Sequence, residues 1–185
     1  ISDAVVEAAR RGVYFPDVPA AEGGLYAAGR AEVAGADVPS LVKLLEPLAD
    51  GSLRVEDWVR ESVTWRTADA TDDKLPELFE PQDFLLANNF MGPMDDHLAE
   101  RCLRNMVRLV ARDGYLVVDG IDLDVKTRVL TEFGFRPVLM NQEEIWEAEG
   151  LKTGWPWLRW GREPIDRSEA DWARRYSVIF RRDDH

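Results

Sequence analysis

The sequence predicts an α/β fold built on a parallel sheet, which can include one antiparallel strand. Two features indicate this fold. From residue 63 onward, short apolar segments alternate with segments whose apolar residues recur at helical spacing, and near the end of the chain strands predominate. Residues 84–87 are all apolar, which is typical of a strand buried on both faces of a parallel sheet.

Before residue 63, the sequence predicts two helices separated by a long loop. Ser2 or Asp3 can cap the first helix, and a glycine ends it. The loop is rich in Gly, Ala and Pro. In chain order, the predicted elements are a helix at 2–11, a variable loop at about 15–38, a helix from Ser40 that Pro47 kinks or ends near Leu45, a turn at 50–51 and a strand at 53–55.

From residue 63 to the end, predicted strands alternate with helices. β-Branched and aromatic residues favour the first of these strands. Asp95 or Asp96 can cap the first helix, and a glycine follows each helix. The predicted elements are strands at 63–67, 84–87, 115–118 and 177–180, helices at 96–112 and 126–133, and an extended segment at 135–140.

The amino-acid composition indicates which kinds of partner to expect and in which cellular compartment the protein lies. The 185 residues include 35 acidic and 23 basic side chains, which gives a formal net charge of −12. An acidic surface repels nucleic acid at long range, so a nucleic-acid partner is disfavoured. No run approaches the ~20 apolar residues of a membrane helix, so we expect no membrane partner. The single cysteine, Cys102, excludes an internal disulfide and favours a cytoplasmic location.

Polar residues follow three successive predicted strands. Asp69 follows the first strand, Asn88 and Asn89 follow the second, and Asp119 follows the third. Open α/β sheets bind ligands at the carboxyl ends of their strands. Two interpretations stay open at this point: polar residues that only terminate strands, or a ligand site formed by three neighbouring strand ends.

An ordered set of short segments runs from Ile1 to about Val118. The segments are Ile1-Ser2, Gly12-Val13-Tyr14, the turn and strand at 50–55, Val63-Thr64-Trp65, Asp69-Ala70, and residues 83–90, which end in Asn88-Asn89-Phe90. Their order resembles the C-terminal part of the chemotaxis receptor (CheR-type) methyltransferase family, whose members belong to class I and use S-adenosylmethionine.

The resemblance implies a domain with a Rossmann-like methyltransferase sheet, and the chain forms the later part of this domain. It also implies S-adenosylmethionine as cofactor. It places Asp69 and Ala70 at the adenine end of the cofactor, where a carboxylate can accept a hydrogen bond from the exocyclic amine. It places Asn88 and Asn89 beside the methyl group, and Ile1 beside the adenine. The methyl acceptor is a small molecule or a protein, and no catalytic base is identified.

The chain departs from the family pattern at several positions. Asn88 stands where the family has arginine, Pro93 stands where an aromatic residue is expected, and residues 119–122 replace a Gly-x-Ser-Glu turn. The departures at Asn88 and Pro93 favour an alternative, a non-catalytic binding or regulatory module that keeps the fold.

The family's glycine-rich loop and first two strands would precede Ile1. Those strands would lie between the strands at 63–67 and 84–87, so we expect the natural protein to extend N-terminally. An unpaired gap in the centre of a sheet leaves backbone groups without partners.

Other residues are weaker candidates. The substrate-lining candidates are Phe90, Asp119, Trp155 and Trp157. For the tryptophans, the alternative is a hydrophobic cover over the sheet. The aspartates from residue 119 to residue 124 lack the order of a calcium loop, so no metal site is predicted. Cys102 lies on an apolar helix face and is predicted to be part of the core.

Overall fold

The computed structural model describes residues 3–14, 44–88, 90–147 and 165–183, and the chain divides into two compact units, Ile1–Ala68 and Asp69–His185. The elements of the first unit are α1 (Asp3–Arg11), β1 (Val13–Tyr14), β2 (Leu45–Pro47), β3 (Leu53–Val55) and α2 (Asp57–Glu61). None of the helices in the described ranges has both the length and the apolar character that crossing a bilayer requires.

The first unit contains a small antiparallel sheet in the order β1-β3-β2. The predicted turn at 50–51 and strand at 53–55 are confirmed, with Gly51 at φ 83° and the Ser52 amide donating to Asp50 Oδ1 at 3.0 Å. The helix predicted from Ser40 is wrong over its described part, because Leu45–Pro47 is strand β2. The turn closes a hairpin in which β2 pairs with β3, and this pairing outweighs the helical spacing of a few leucines.

The strand predicted at 63–67 is wrong, because these residues form neither strand nor helix. Arg10 Nη2 donates to the Trp65 carbonyl at 3.1 Å, and Thr67 Oγ1 donates to Asp3 Oδ1 at 3.2 Å, so the segment is bonded to α1. The side chain of Val63 is exposed, so its β-branched shape gains little from packing. The part of the expected sheet order that includes a strand at residue 63 is therefore wrong as well.

The second unit contains a four-stranded mixed sheet, which confirms the α/β class with parallel pairing and an antiparallel strand. Its strand order is β4-β5-β7-β6; β4 and β5 are parallel, and β7 is antiparallel to both β5 and β6. The elements are β4 (Gln82–Asn88), α3 (Asp96–Leu109), β5 (Val110–Asp119), α4 (Leu123–Glu132), β6 (Phe135–Pro137), α5 (Gln142–Glu147), α6 (Trp172–Tyr176) and β7 (Ile179–Arg182), with a short 3-10 helix at Leu75–Glu77.

The main core of this unit lies between the sheet and the helices α3 and α4. It is formed by fully buried aliphatic and aromatic side chains, among them Leu103, Val107, Leu116, Val129 and Phe180. Asp95 caps α3 by accepting a hydrogen bond from the Leu98 amide at 2.9 Å, as predicted. The helix ends at Leu109 rather than near residue 112, because β5 already begins at Val110.

Strand β4 is buried on one face only, which corrects the prediction of burial on both faces. Ala87 is 1% exposed and belongs to the core, whereas Phe84 and Leu86, on the opposite face, are 57% and 65% exposed. Within the described residues, β4 pairs with β5 and has no second neighbour. An edge strand with apolar side chains on its uncovered face therefore borders the sheet.

Candidate functional site

Two of the candidate residues lie side by side at the carboxyl edge of the sheet. Asn88 ends β4, Asp119 ends β5, and the two residues are partners in the parallel register. Neighbouring strands lie about 4.8 Å apart, so both polar side chains belong to one patch. Asn88 is exposed, and Asp119 is partly buried with its Oδ1 accepting a hydrogen bond from the Gly120 amide at 2.8 Å.

The turn after β5 ends the strand at Asp119, so this residue lies at the carboxyl edge of the sheet. Gly120 has φ 66°, a left-handed conformation that directs the chain away from the strand at low steric cost. Asp122 then accepts hydrogen bonds from the amides of Asp124 and Val125 at 2.9 and 3.0 Å and caps α4. Asp122 therefore has a structural role as the N-cap of α4.

Asp69 is an exposed carboxylate fixed by a local turn. Its Oδ1 accepts hydrogen bonds from the Thr71 amide at 2.9 Å and from the Thr71 hydroxyl at 2.8 Å. The Thr71 amide and then its hydroxyl hold the pKa of the Asp69 carboxyl below its ordinary value, and the nearby Arg101 guanidinium acts in the same direction. Asp69 therefore carries its negative charge at neutral pH and can accept further hydrogen bonds.

Ala70 connects this turn to helix α3. Its side chain packs against the main core, and its carbonyl accepts a hydrogen bond from Asn105 Nδ2 at 3.0 Å. Asn105 was not identified from the sequence. A signal was present, however, because Asn105 lies three residues after Cys102 and four before Leu109, on the buried face of α3. A polar side chain in an apolar stripe indicates a buried hydrogen-bond partner.

Cys102 is part of the core, as predicted, and its thiol is not activated. The residue is 0% exposed. Burial first, and the negative charge of Asp69 second, raise the pKa of the Cys102 thiol to about 11. A thiol with so high a pKa is protonated at neutral pH and is a poor nucleophile.

The remaining candidates fall into two groups. Phe90 follows β4 and is exposed, at the same end of the strand as Asn88. Ile1, Asn89, Trp155 and Trp157 lie outside the described residues. No three His, Cys, Asp or Glu side chains in the described ranges are grouped so that they could hold a metal ion.

A surface groove elsewhere in the second unit contains none of the candidate residues. Its volume is about 660 Å³, and it lies between the start of α4 and the segment that includes α6. The lining includes the carboxylates of Asp124, Asp166, Glu169 and Asp171 together with Arg175. Arg175 forms an ion pair with Asp124, so the groove wall is a solvated surface in which opposite charges are partly paired.

The structure thus brings Asn88 and Asp119 together and bonds the Asp69–Ala70 turn to α3, the helix that follows β4. The chain matches no protein-family model, and comparison with curated proteins gives no match either. The resemblance to the CheR-type family stays a prediction from the ordered motifs.

Proposed function

We propose that this chain forms part of a methyltransferase domain that transfers a methyl group from S-adenosylmethionine to a small-molecule or protein acceptor. The observation that carries the proposal is the pairing of Asn88 with Asp119 at the carboxyl ends of two parallel strands. In open α/β sheets this edge is where ligands bind. The ordered motifs support the same conclusion independently of the sheet geometry.

The side chains present suit an adenine ring. The Asp69 carboxylate is exposed and ionised, so it can accept a hydrogen bond from the exocyclic amine. Ala70 has only a methyl side chain, which allows a flat ring to approach the backbone. The turn that holds both residues is fixed by Thr71 on one side and Asn105 on the other, so little ordering is needed when a ligand binds.

The chain's own residues would act by binding and orienting rather than by proton transfer. When bound, S-adenosylmethionine supplies a methyl group on a sulfonium centre, which an acceptor nucleophile displaces. Asn88 offers an uncharged amide that can donate and accept hydrogen bonds, and the neighbouring Asp119 adds an acceptor. Holding two reactants in position can account for much of the rate of a displacement reaction.

A second candidate function is a non-catalytic binding or regulatory module that keeps the fold. Asn88 and Pro93 favour it, because each departs from the residue type that the family pattern has near the transferred methyl group. Only methyl transfer requires the adenine contact at Asp69, so binding of the cofactor or of its demethylated product discriminates between the two candidates.

Calorimetric titration of S-adenosylhomocysteine into the natural full-length protein tests the proposal. We expect saturable binding, weakened roughly 10-fold by Asp69→Asn, since the new amide cannot match the charged acceptor. Asp83→Asn is the matched control, because Asp83 is exposed near the opposite end of β4 and should leave the affinity unchanged. Absence of binding would contradict the proposed methyl transfer and favour the non-catalytic module, and so would binding without transfer of a labelled methyl group.

A further inference from the structure

Asn105 is a buried amide that bonds α3 to the turn after Asp69. The side chain is 1% exposed. Its Nδ2 donates to the carbonyl of Ala70 at 3.0 Å and to the carbonyl of Asp72 at 2.9 Å. Both protons of the amide are therefore used, and both acceptors belong to one short backbone segment.

The same segment is fixed from its other side by Asp69. The Thr71 amide and hydroxyl both donate to Asp69 Oδ1, while the carbonyls on either side of Thr71 accept from Asn105. The backbone between the two sets of bonds has little freedom to rotate. The direction of the Asp69 carboxylate is thus coupled, through Thr71, to a side chain on α3.

A second contact between α3 and this segment is weaker. Arg101, one turn before Asn105, forms two hydrogen bonds with Asp73, each 3.1 Å long. Both side chains are largely exposed, at 45% and 67%, so water competes with the ion pair. Water does not compete for the hydrogen bonds of Asn105, because that side chain is buried. Loss of its amide leaves two backbone carbonyls without their donor.

Burying a polar side chain at position 105 costs free energy unless the side chain forms hydrogen bonds inside the protein. Cys102 and Leu109 share the buried face of α3 with Asn105, and an aliphatic side chain would fill the same space without desolvating an amide. The bonds to Ala70 and Asp72 offset that cost and fix one conformation of the segment.

We propose that Asn105 is a positioning residue that directs the Asp69 carboxylate and the Ala70 backbone toward the adenine ring without touching the ligand. This inference rests on the proposed function, because the ligand it concerns is the adenine of the cofactor. If the inference is correct, the selectivity of the site for a 6-amino group over a 6-oxo group depends on the hydrogen bonds of Asn105. A carboxylate accepts from the 6-amino group of adenine, but meets an oxygen at that position in hypoxanthine.

The test compares the affinity of the natural full-length protein for S-adenosylhomocysteine and for its deaminated analogue, S-inosylhomocysteine. We expect the wild-type protein to prefer the adenine compound by roughly 10-fold or more. Asn105→Leu removes both donors and should bring this preference close to 1. Val107→Ala is the control: it changes another fully buried residue of α3 but removes no hydrogen bond to the segment 69–73, because valine has no side-chain donor or acceptor. It should lower the melting temperature and keep the preference.

A second variant and a second readout keep the test decisive if Asn105→Leu does not fold. Thr71→Val removes only the hydroxyl that donates to Asp69 and should reduce the preference by a smaller factor. Hydrogen exchange at the Thr71 amide should accelerate more in Asn105→Leu, or in Asn105→Ser as the milder change, than in Val107→Ala.

An unchanged preference in the Asn105 and Thr71 variants, with normal wild-type binding, would overturn the inference alone. A wild-type protein that binds neither compound would overturn the proposed function and the inference with it.

Discussion

Gly114 lies in β5 with the backbone of Gln82 in β4 close beside it, so a methyl group there tests the strand pairing that aligns Asn88 with Asp119. A Cβ at this position would lie 2.9 Å from the Ala111 carbonyl oxygen and 3.0 Å from the Gln82 carbonyl oxygen. Both atoms belong to the backbone and cannot rotate away. Ordinary contacts between carbon and oxygen begin near 3.3 Å, so two segments must each shift by a few tenths of an ångström.

We therefore expect Gly114→Ala to destabilise the protein by about 2 kcal/mol, the middle of the range for overpacked sites. For a chain of this length, that corresponds to a fall of roughly 4–8 °C in the melting temperature. Thermal unfolding followed by circular dichroism measures it.

Gly134→Asn is the control for Gly114→Ala. Gly134 has φ 71° and no neighbouring atom within 4 Å of an added Cβ, and asparagine tolerates this conformation. An unchanged melting temperature for Gly114→Ala, or an equal loss for Gly134→Asn, would refute the close approach of β4 and β5.

Three further outcomes follow from the contacts of the second unit. Asp95→Ala should lower the free energy of unfolding in urea by about 1 kcal/mol through loss of the α3 cap, and an unchanged midpoint would contradict the cap. Cys102 should resist iodoacetamide at pH 8 in the folded protein and react once urea unfolds the protein, because burial raises the pKa of its thiol. Rapid labelling of the native protein would contradict this prediction. Hydrogen bonds from Arg128 and then Arg104 hold the pKa of the Glu100 carboxyl below its ordinary value of 4.5. The stability that these bonds contribute is therefore full above pH 4.5 and is lost as the pH falls through the lowered pKa. Glu100→Gln should flatten the dependence of melting temperature on pH in this acid range, and an unchanged slope would argue against these bonds.

The sequence predicted elements correctly where local signals and tertiary packing agree. Helix α3 combines a capping aspartate with a continuous apolar stripe, and the turn at 50–51 combines Asp with Gly, so both were predicted. The strand at 63–67 failed because β-propensity is realised only when a strand finds a partner, and within the described residues this segment has none. Leu45–Pro47 failed because a few leucines at helical spacing suit a hairpin strand equally well.

The candidate site was predicted in part for a related reason. Polar residues at strand ends are visible in a sequence, and Asn88 and Asp119 do meet in the parallel register. The one-sided burial of β4 is not visible, because it depends on which neighbours the strand has rather than on its own apolar composition. Asn105 was missed although its place in the apolar stripe of α3 was visible, and its partners could not be identified, because they are backbone carbonyls more than thirty residues earlier.

The location of bound S-adenosylhomocysteine in a crystal structure of the natural full-length protein tests the proposed cofactor site directly. We predict that the ligand lies across the carboxyl ends of β4 and β5, with its adenine against Asp69 and Ala70 and its amino-acid end beyond Asn88. Ligand density in the acidic groove beside α4 and α6, or at the opposite edge of the sheet, would contradict it.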